Sequence, residues 1–147
     1  LLEGRKESAL TILRASCELP EEKLPCLQLL AQTLASLGSS DELNTVLERV
    51  VSTACSQRLG CAETNRWVAG IHVTVGNRQQ AVTWYERAAR QEPTATRWLE
   101  LAEAADQAGL SAVVAQALGE AATKKDAKEP ANAERFTRLS EKHPRKR

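Results

Sequence analysis

The sequence predicts an all-α protein built from tandem helix-turn-helix repeats, and three observations carry that prediction. Ala, Leu, Glu, Gln, Lys and Arg dominate the 147 residues, side chains that lose little rotamer freedom in a helix. Aromatic strand formers are scarce, with three Trp, one Tyr and one Phe. The glycines Gly4, Gly38, Gly76 and Gly109 recur at spacings of 34, 38 and 33 residues. A period of that size marks stacked supersecondary units.

Each of these glycines is followed five residues later by Ala9, Leu43, Ala81 or Val114, and four residues further on by Leu13, Leu47, Tyr85 or Leu118. The pattern is that of a helix ending near the glycine, a tight turn, and a second helix whose apolar stripe packs back on the first. Glycine suits the turn because it tolerates positive φ.

The elements follow in order. Arg5 to Cys17 reads as a second helix without its first, so the chain is expected to open half a repeat in. Leu27, Leu30, Ala31 and Leu34 form an apolar stripe before Gly38, and Asp41 is a start signal for a helix carrying Leu43, Val46, Leu47 and Val50. The 38-residue spacing implies about four extra residues, placed at 56–61 as a longer helix or loop. Trp67, Val68, Ile71 and Val75 lead to Gly76, after which Ala81, Trp84, Tyr85 and Ala88 give a second face that Pro93 stops. Trp98, Leu101, Ala102 and Ala105 then precede Gly109, with Val114, Leu118 and Ala121 following. Residues 123–129 are a polar connection, and Pro130 fits a first helical position. Phe136 and Leu139 lie on a short helix that could cap the last apolar face.

At Val68-Ala69, His72, Gly76, Ala81, Tyr85, Ala88 and Pro93, and again at Trp98, Leu101, Ala102, Gly109 and Ala121, the sequence resembles the tetratricopeptide repeat family. Clear repeats fall around 62–94 and 95–126, a degenerate one around 24–61, and a half repeat at 1–20. The resemblance implies an α-solenoid with a right-handed superhelix over residues 1–122. Residues 123–147 form a polar linker, a capping helix and a basic tail. The Gly38 unit departs from the family by placing Leu43, Leu47 and Val50 where Ala, an aromatic and Ala are common.

Charge is divided along the chain. Residues 1–122 hold 11 basic and 15 acidic side chains, and residues 123–147 hold 9 and 4. An acidic body is a poor surface for phosphate, so nucleic acid is not an expected partner. The terminal 143–147 run reads as a solvated tail or a contact for an anionic partner. No run of 18 apolar residues occurs, which argues against membrane insertion. Cys17, Cys26, Cys55 and Cys61 lack a C-x-x-C pair, so no metal is expected. Cys17, Cys26 and Cys55 fall on apolar helical positions, where free cysteine acts as a small hydrophobe. Reduced thiols and a cytoplasmic or other reducing compartment are therefore expected, with the periplasm as the alternative.

Nothing in the sequence has the form of a reaction centre. His72 stands where the family commonly packs an aromatic, Cys61 lies near Glu63 without a histidine, and no phosphate-binding loop occurs. No enzymatic activity and no cofactor are expected. The resemblance implies instead a concave groove for a partner protein or peptide, lined by Gln28, Gln32, Arg66, Gly70, Thr74, Leu99, Glu103, Asp106 and Gln107. Its acidic side chains suit a basic or amide-rich segment. The subfamily that clamps acidic chaperone tails carries Lys, Asn and Arg where this chain has Gln28, Arg66 and Leu99, which argues against that ligand. The expected role is a scaffold segment of a larger protein. The alternatives are a homodimer formed through Leu10, Ile12 and Leu13, or an envelope scaffold of a polysaccharide or secretion machine. Trp67, Trp84 and Trp98 read as core between helices, any exposed one being a candidate binding anchor.

Overall fold

The computed structural model describes residues 2–18, 23–58 and 60–144, and among them the chain is all-helical. The helices are α1 (Leu2–Ser16), α2 (Lys23–Leu37), α3 (Ser40–Ser56), α4 (Cys61–Thr74), α5 (Arg78–Gln91), α6 (Ala95–Gln107), α7 (Ser111–Ala122) and α8 (Pro130–Lys142). A 3-10 turn, Lys125–Lys128, lies between the last two. Packing is sequential, helix on neighbouring helix, as in an all-α repeat fold. The chain forms two compact units, divided after Thr64.

In the first unit α2 packs against α1 and α3. Leu10, Leu27, Leu34, Leu43, Leu47 and Val50 are fully buried between them, each worth about 1.5–3 kcal/mol of burial. At the edge the Arg14 guanidinium donates two 2.7 Å bonds to the Glu42 carboxylate, joining α1 to α3. In the second unit α6 is central, packed by α5 on one side and α7 on the other, with α8 against α6 and α7. This explains why Trp98, Leu99, Leu101, Ala102, Ala104 and Ala105 are all buried in one 13-residue helix. Trp84 and Trp98 are buried and Trp67 half-buried, as their spacing predicts.

The glycine series holds at three positions out of four. Gly38, Gly76 and Gly109 have φ of 74°, 84° and 74°. At each one the next amide bonds back to the carbonyl five residues earlier: Ser39 to Leu34 (3.2 Å), Asn77 to His72 (2.8 Å) and Leu110 to Ala105 (2.9 Å). With the glycine amide bonding three residues back, this is the Schellman arrangement, which satisfies carbonyls the helix end leaves open. Gly4 instead lies inside α1, its carbonyl accepting from Ser8 Oγ at 3.0 Å, so it marks no turn.

Opposite effects on stability therefore separate these glycines. No atom lies within 4 Å of a Cβ built at Gly76. Gly76→Ala is then expected to cost only the left-handed backbone strain, about 1–2 kcal/mol. Gly4→Ala is expected to stabilise by about 0.5 kcal/mol or less, because its helical backbone favours alanine. Urea titration of the two variants reads both signs.

The extra residues of the 38-residue spacing appear as a long α3 and a loop before α4, where Arg58 and Gly60 take positive φ of 55° and 65°. The loops between helix pairs correct the cysteine reading. Cys17 is bonded to Cys26 across the α1–α2 loop, and Cys55 to Cys61 across the α3–α4 loop. Each pair has Cα atoms about 5 Å apart (5.3 and 4.6 Å), within disulfide reach. Helical periodicity places cysteines on apolar faces but does not report that consecutive helix ends bring them together. Pro93 takes the corresponding place between α5 and α6, and α5 ends at Gln91.

Candidate functional site

The acidic face of α6 and the basic helix α8 form the most chemically elaborated surface of the second unit. Its geometry starts at the N-terminus of α6. Thr94 Oγ1 accepts from the Arg97 amide at 3.2 Å, an N-cap. Asp126, on the 3-10 turn, accepts from the Ala95 amide at 2.7 Å and from the Thr96 amide at 3.2 Å. A carboxylate at this helix end is also favoured by the helix dipole. Buried Asn132 of α8 completes the joint, donating to the Asp126 carbonyl at 3.0 Å and to Thr96 Oγ1 at 3.1 Å.

From that anchor α8 runs along α6 in the same chain direction. Arg135 Nε donates to Glu103, and Arg138 lies 3.8 Å from the same carboxylate. Lys142 Nζ is 2.9 Å and His143 Nε2 is 2.7 Å from Asp106. Leu139 is buried between these charges, and Phe136 packs partly against the same core. One turn back, Arg66 of α4 bonds Glu100 at 2.8 Å. The links Arg66–Glu100, Thr96–Asn132 and Asp106–Lys142 span 34, 36 and 36 residues. Each of these links joins helices two elements apart in the chain, α4 to α6 or α6 to α8.

Electrostatics follow from these contacts. The Asp106 carboxyl is held below the usual range, first by the Lys142 hydrogen bond and then by His143, against the opposing effect of burial. For Asp126 burial acts upward but is outweighed by the Ala95 and Thr96 amides, and the net direction is again down. Tyr85 is raised, first by burial and then by Glu100. A carboxyl with a depressed folded pKa contributes stability that is complete above the unfolded value of about 4 and is lost as pH falls through the folded one. Acid is therefore expected to loosen the α6–α8 joint below about pH 4. Asp126→Ala should produce much of the same loss at neutral pH, about 2 kcal/mol from charge-assisted amide bonds. Hydrogen exchange of α8 amides as a function of pH checks both.

The structure redistributes the expected groove residues. Gln28, half-buried, and Gln32, exposed, lie on α2 in the first unit. Arg66, Glu103 and Asp106 all belong to the second unit, but each is engaged in a separate ion pair, with Glu100, Arg135 and Lys142 respectively. Thr74 is exposed and its hydroxyl donates to the Gly70 carbonyl at 3.0 Å. Gln107 is exposed beside a cleft of about 430 Å³ shared with Asn77, Arg78 and Gln80. Leu99 does not line a groove: it is 1% exposed, inside the core of α5–α8. Ala102 and Ala105, three and six residues on, lie on the same buried stripe, and neighbouring Glu100 is itself mostly covered, its side chain 12% exposed against Arg66.

The residues that sequence reasoning missed are Asp126, Asn132, Arg135, Arg138 and Lys142. For Arg135, Arg138 and Lys142 the division into an acidic body and basic tail was the signal, since opposite charges one repeat apart are placed to pair; Asp126 and Asn132 had none. The basic tail proper, 145–147, lies outside the described residues. His72 is buried (2% exposed) and stacked on Trp84 at a centroid distance of 6.5 Å, and burial lowers its pKa toward the neutral form. Cys61 is half of a disulfide, so the free thiol considered from the sequence is absent.

A second concavity of about 880 Å³ lies between α7 and α8, with Ala112, Ala115, Leu118 and Phe136 along its apolar wall and Ser111 and Ser140 among its polar lining residues. Among the described residues no helix is long and apolar enough to cross a membrane. No protein-family model matches the chain, and no curated protein matches it in sequence.

Proposed function

We propose that this chain is a scaffold segment of the tetratricopeptide-repeat type that binds a helical or extended segment of a partner protein, without catalysing a reaction. The observation that carries the reading is the α6 face, whose Glu103 and Asp106 hold a basic amphipathic helix, α8, by paired charges around a buried leucine. Helix-in-groove recognition uses the same elements: apolar anchors at helical spacing and complementary charge at the rim. His72, buried against Trp84, suits packing and not proton transfer.

Two disulfides favour an oxidising compartment, the envelope alternative, over a reducing one, because cytosolic thiols are kept reduced. Self-association is the second reading with an observation behind it. Ile12 on α1 is 66% exposed, although Leu10, two residues earlier and expected in the same interface, is buried. Light scattering over a concentration series separates the two, since a strictly monomeric mass at high concentration ends the dimer reading.

Crosslinking in the native host, followed by identification of the joined proteins, tests the scaffold reading. A specific partner lost on reversing Glu103 and Asp106 to lysine supports it. Partners that survive the reversal unchanged would move the binding surface off α6.

A further inference from the structure

The α6–α8 interface combines a small apolar contact, Leu139 and Phe136 on the core shared with α5 and α7, with a row of paired charges. Within α8 the buried positions are Asn132 and Leu139. Phe136 adds a partly buried contact and Arg135 and His143 make largely shielded pairs, their side chains 24% and 17% exposed, while Arg138 and Lys142 stay largely in water at 63% and 64%. Exposed ion pairs contribute little net stability, about 0–1 kcal/mol each. By contrast α6 shares an extensive buried stripe with α5 and α7. Of α5–α8, α8 buries the fewest residues, and paired charge supplies much of its contact with α6.

We propose that α8 is an exchangeable occupant of the α6 face, and that the same face takes a basic amphipathic helix of a partner protein in its place. The ligand is described by the α6-facing part of α8: two apolar residues at i, i+3 (Phe136, Leu139), flanked by cations at i−1, i+2 and i+6 (Arg135, Arg138, Lys142), with Glu134 and Glu141 leaving the whole helix at +1. Glu100 is neutralised by Arg66, so discrimination rests on Glu103 and Asp106. This inference rests on the scaffold reading above and adds regulation to it. Because the short 123–129 segment tethers α8, its local concentration is on the order of millimolar, and a partner must outcompete it. The tether thereby sets an affinity threshold against weak or non-specific basic segments.

The probe is a fluorescent peptide of residues 130–144, titrated by anisotropy against the full chain and against the full chain carrying R135E and R138E, which repel α8 from Glu103. The peptide is expected to bind the variant at least tenfold more tightly than the wild type, about the factor that removal of a tethered competitor gives. Adding E103K and D106K should abolish that binding. In the wild type, saturating peptide should speed hydrogen exchange in the chain's own α8, which isotopic labelling distinguishes from the peptide. Should the charge-reversed variant lose its helical circular dichroism, L139A in the full chain replaces it with the same expectation. No binding to a folded variant, or binding with α8 exchange unchanged, would overturn the proposal. Failure here with partner crosslinks still lost in the Glu103/Asp106 reversal would leave the scaffold reading standing and remove only the exchange of α8.

Discussion

Reduction of both disulfides is expected to lower the melting temperature of the first unit by about 20 °C and to leave the second unit's transition in place. The bonded cysteines are 9 and 6 residues apart, so each closes a short loop. Chain-entropy arguments give about 2–3 kcal/mol for each such loop, or about 5 kcal/mol together. That is a large share of the stability open to a domain of this size. Both bonds lie within the first unit, which is why a selective loss is expected. Calorimetry with and without a thiol-free reductant measures it. Two unchanged transitions would mean that the cysteines do not staple these loops.

Leu99→Ala is expected to cost the second unit about 3 kcal/mol, within the range for a fully buried leucine. A residue lining an open groove would lose less than about 0.5 kcal/mol. The variant therefore distinguishes between the surface position expected from the repeat pattern and the core position seen in the structure. Denaturant unfolding, with the slope checked for constancy, gives the value.

Most of the fold was legible because helix periodicity and terminating residues act locally. The stripes before Gly38, Gly76 and Gly109, the stop near Pro93 and the start at Pro130 needed only neighbouring residues to be read. Gly4 misled because one glycine at the right spacing carries no information about its φ. The site was less legible, since its parts are brought together by packing at a distance of one repeat. Asp126 lies in a polar stretch with no local signal, yet its carboxylate caps a helix 30 residues away in sequence. The α8 cations meet the acids of α6 only once the chain packs, since the partners lie 32 and 36 residues apart in sequence. Cys17 and Cys26 posed the same difficulty, because their pairing depends on how the chain turns between two helices.

A charge-swap cycle on Glu103 and Arg135 tests most directly whether the acidic face of α6 recognises α8 through paired charge. The measurement is hydrogen exchange of the α8 amides in E103R, R135E and the double swap. Each single variant is expected to destabilise α8 by about 0.5–1 kcal/mol, and the double swap to recover most of that loss. Equal protection in all four proteins, or losses in the double swap that simply add, would contradict a helix held to α6 by charge.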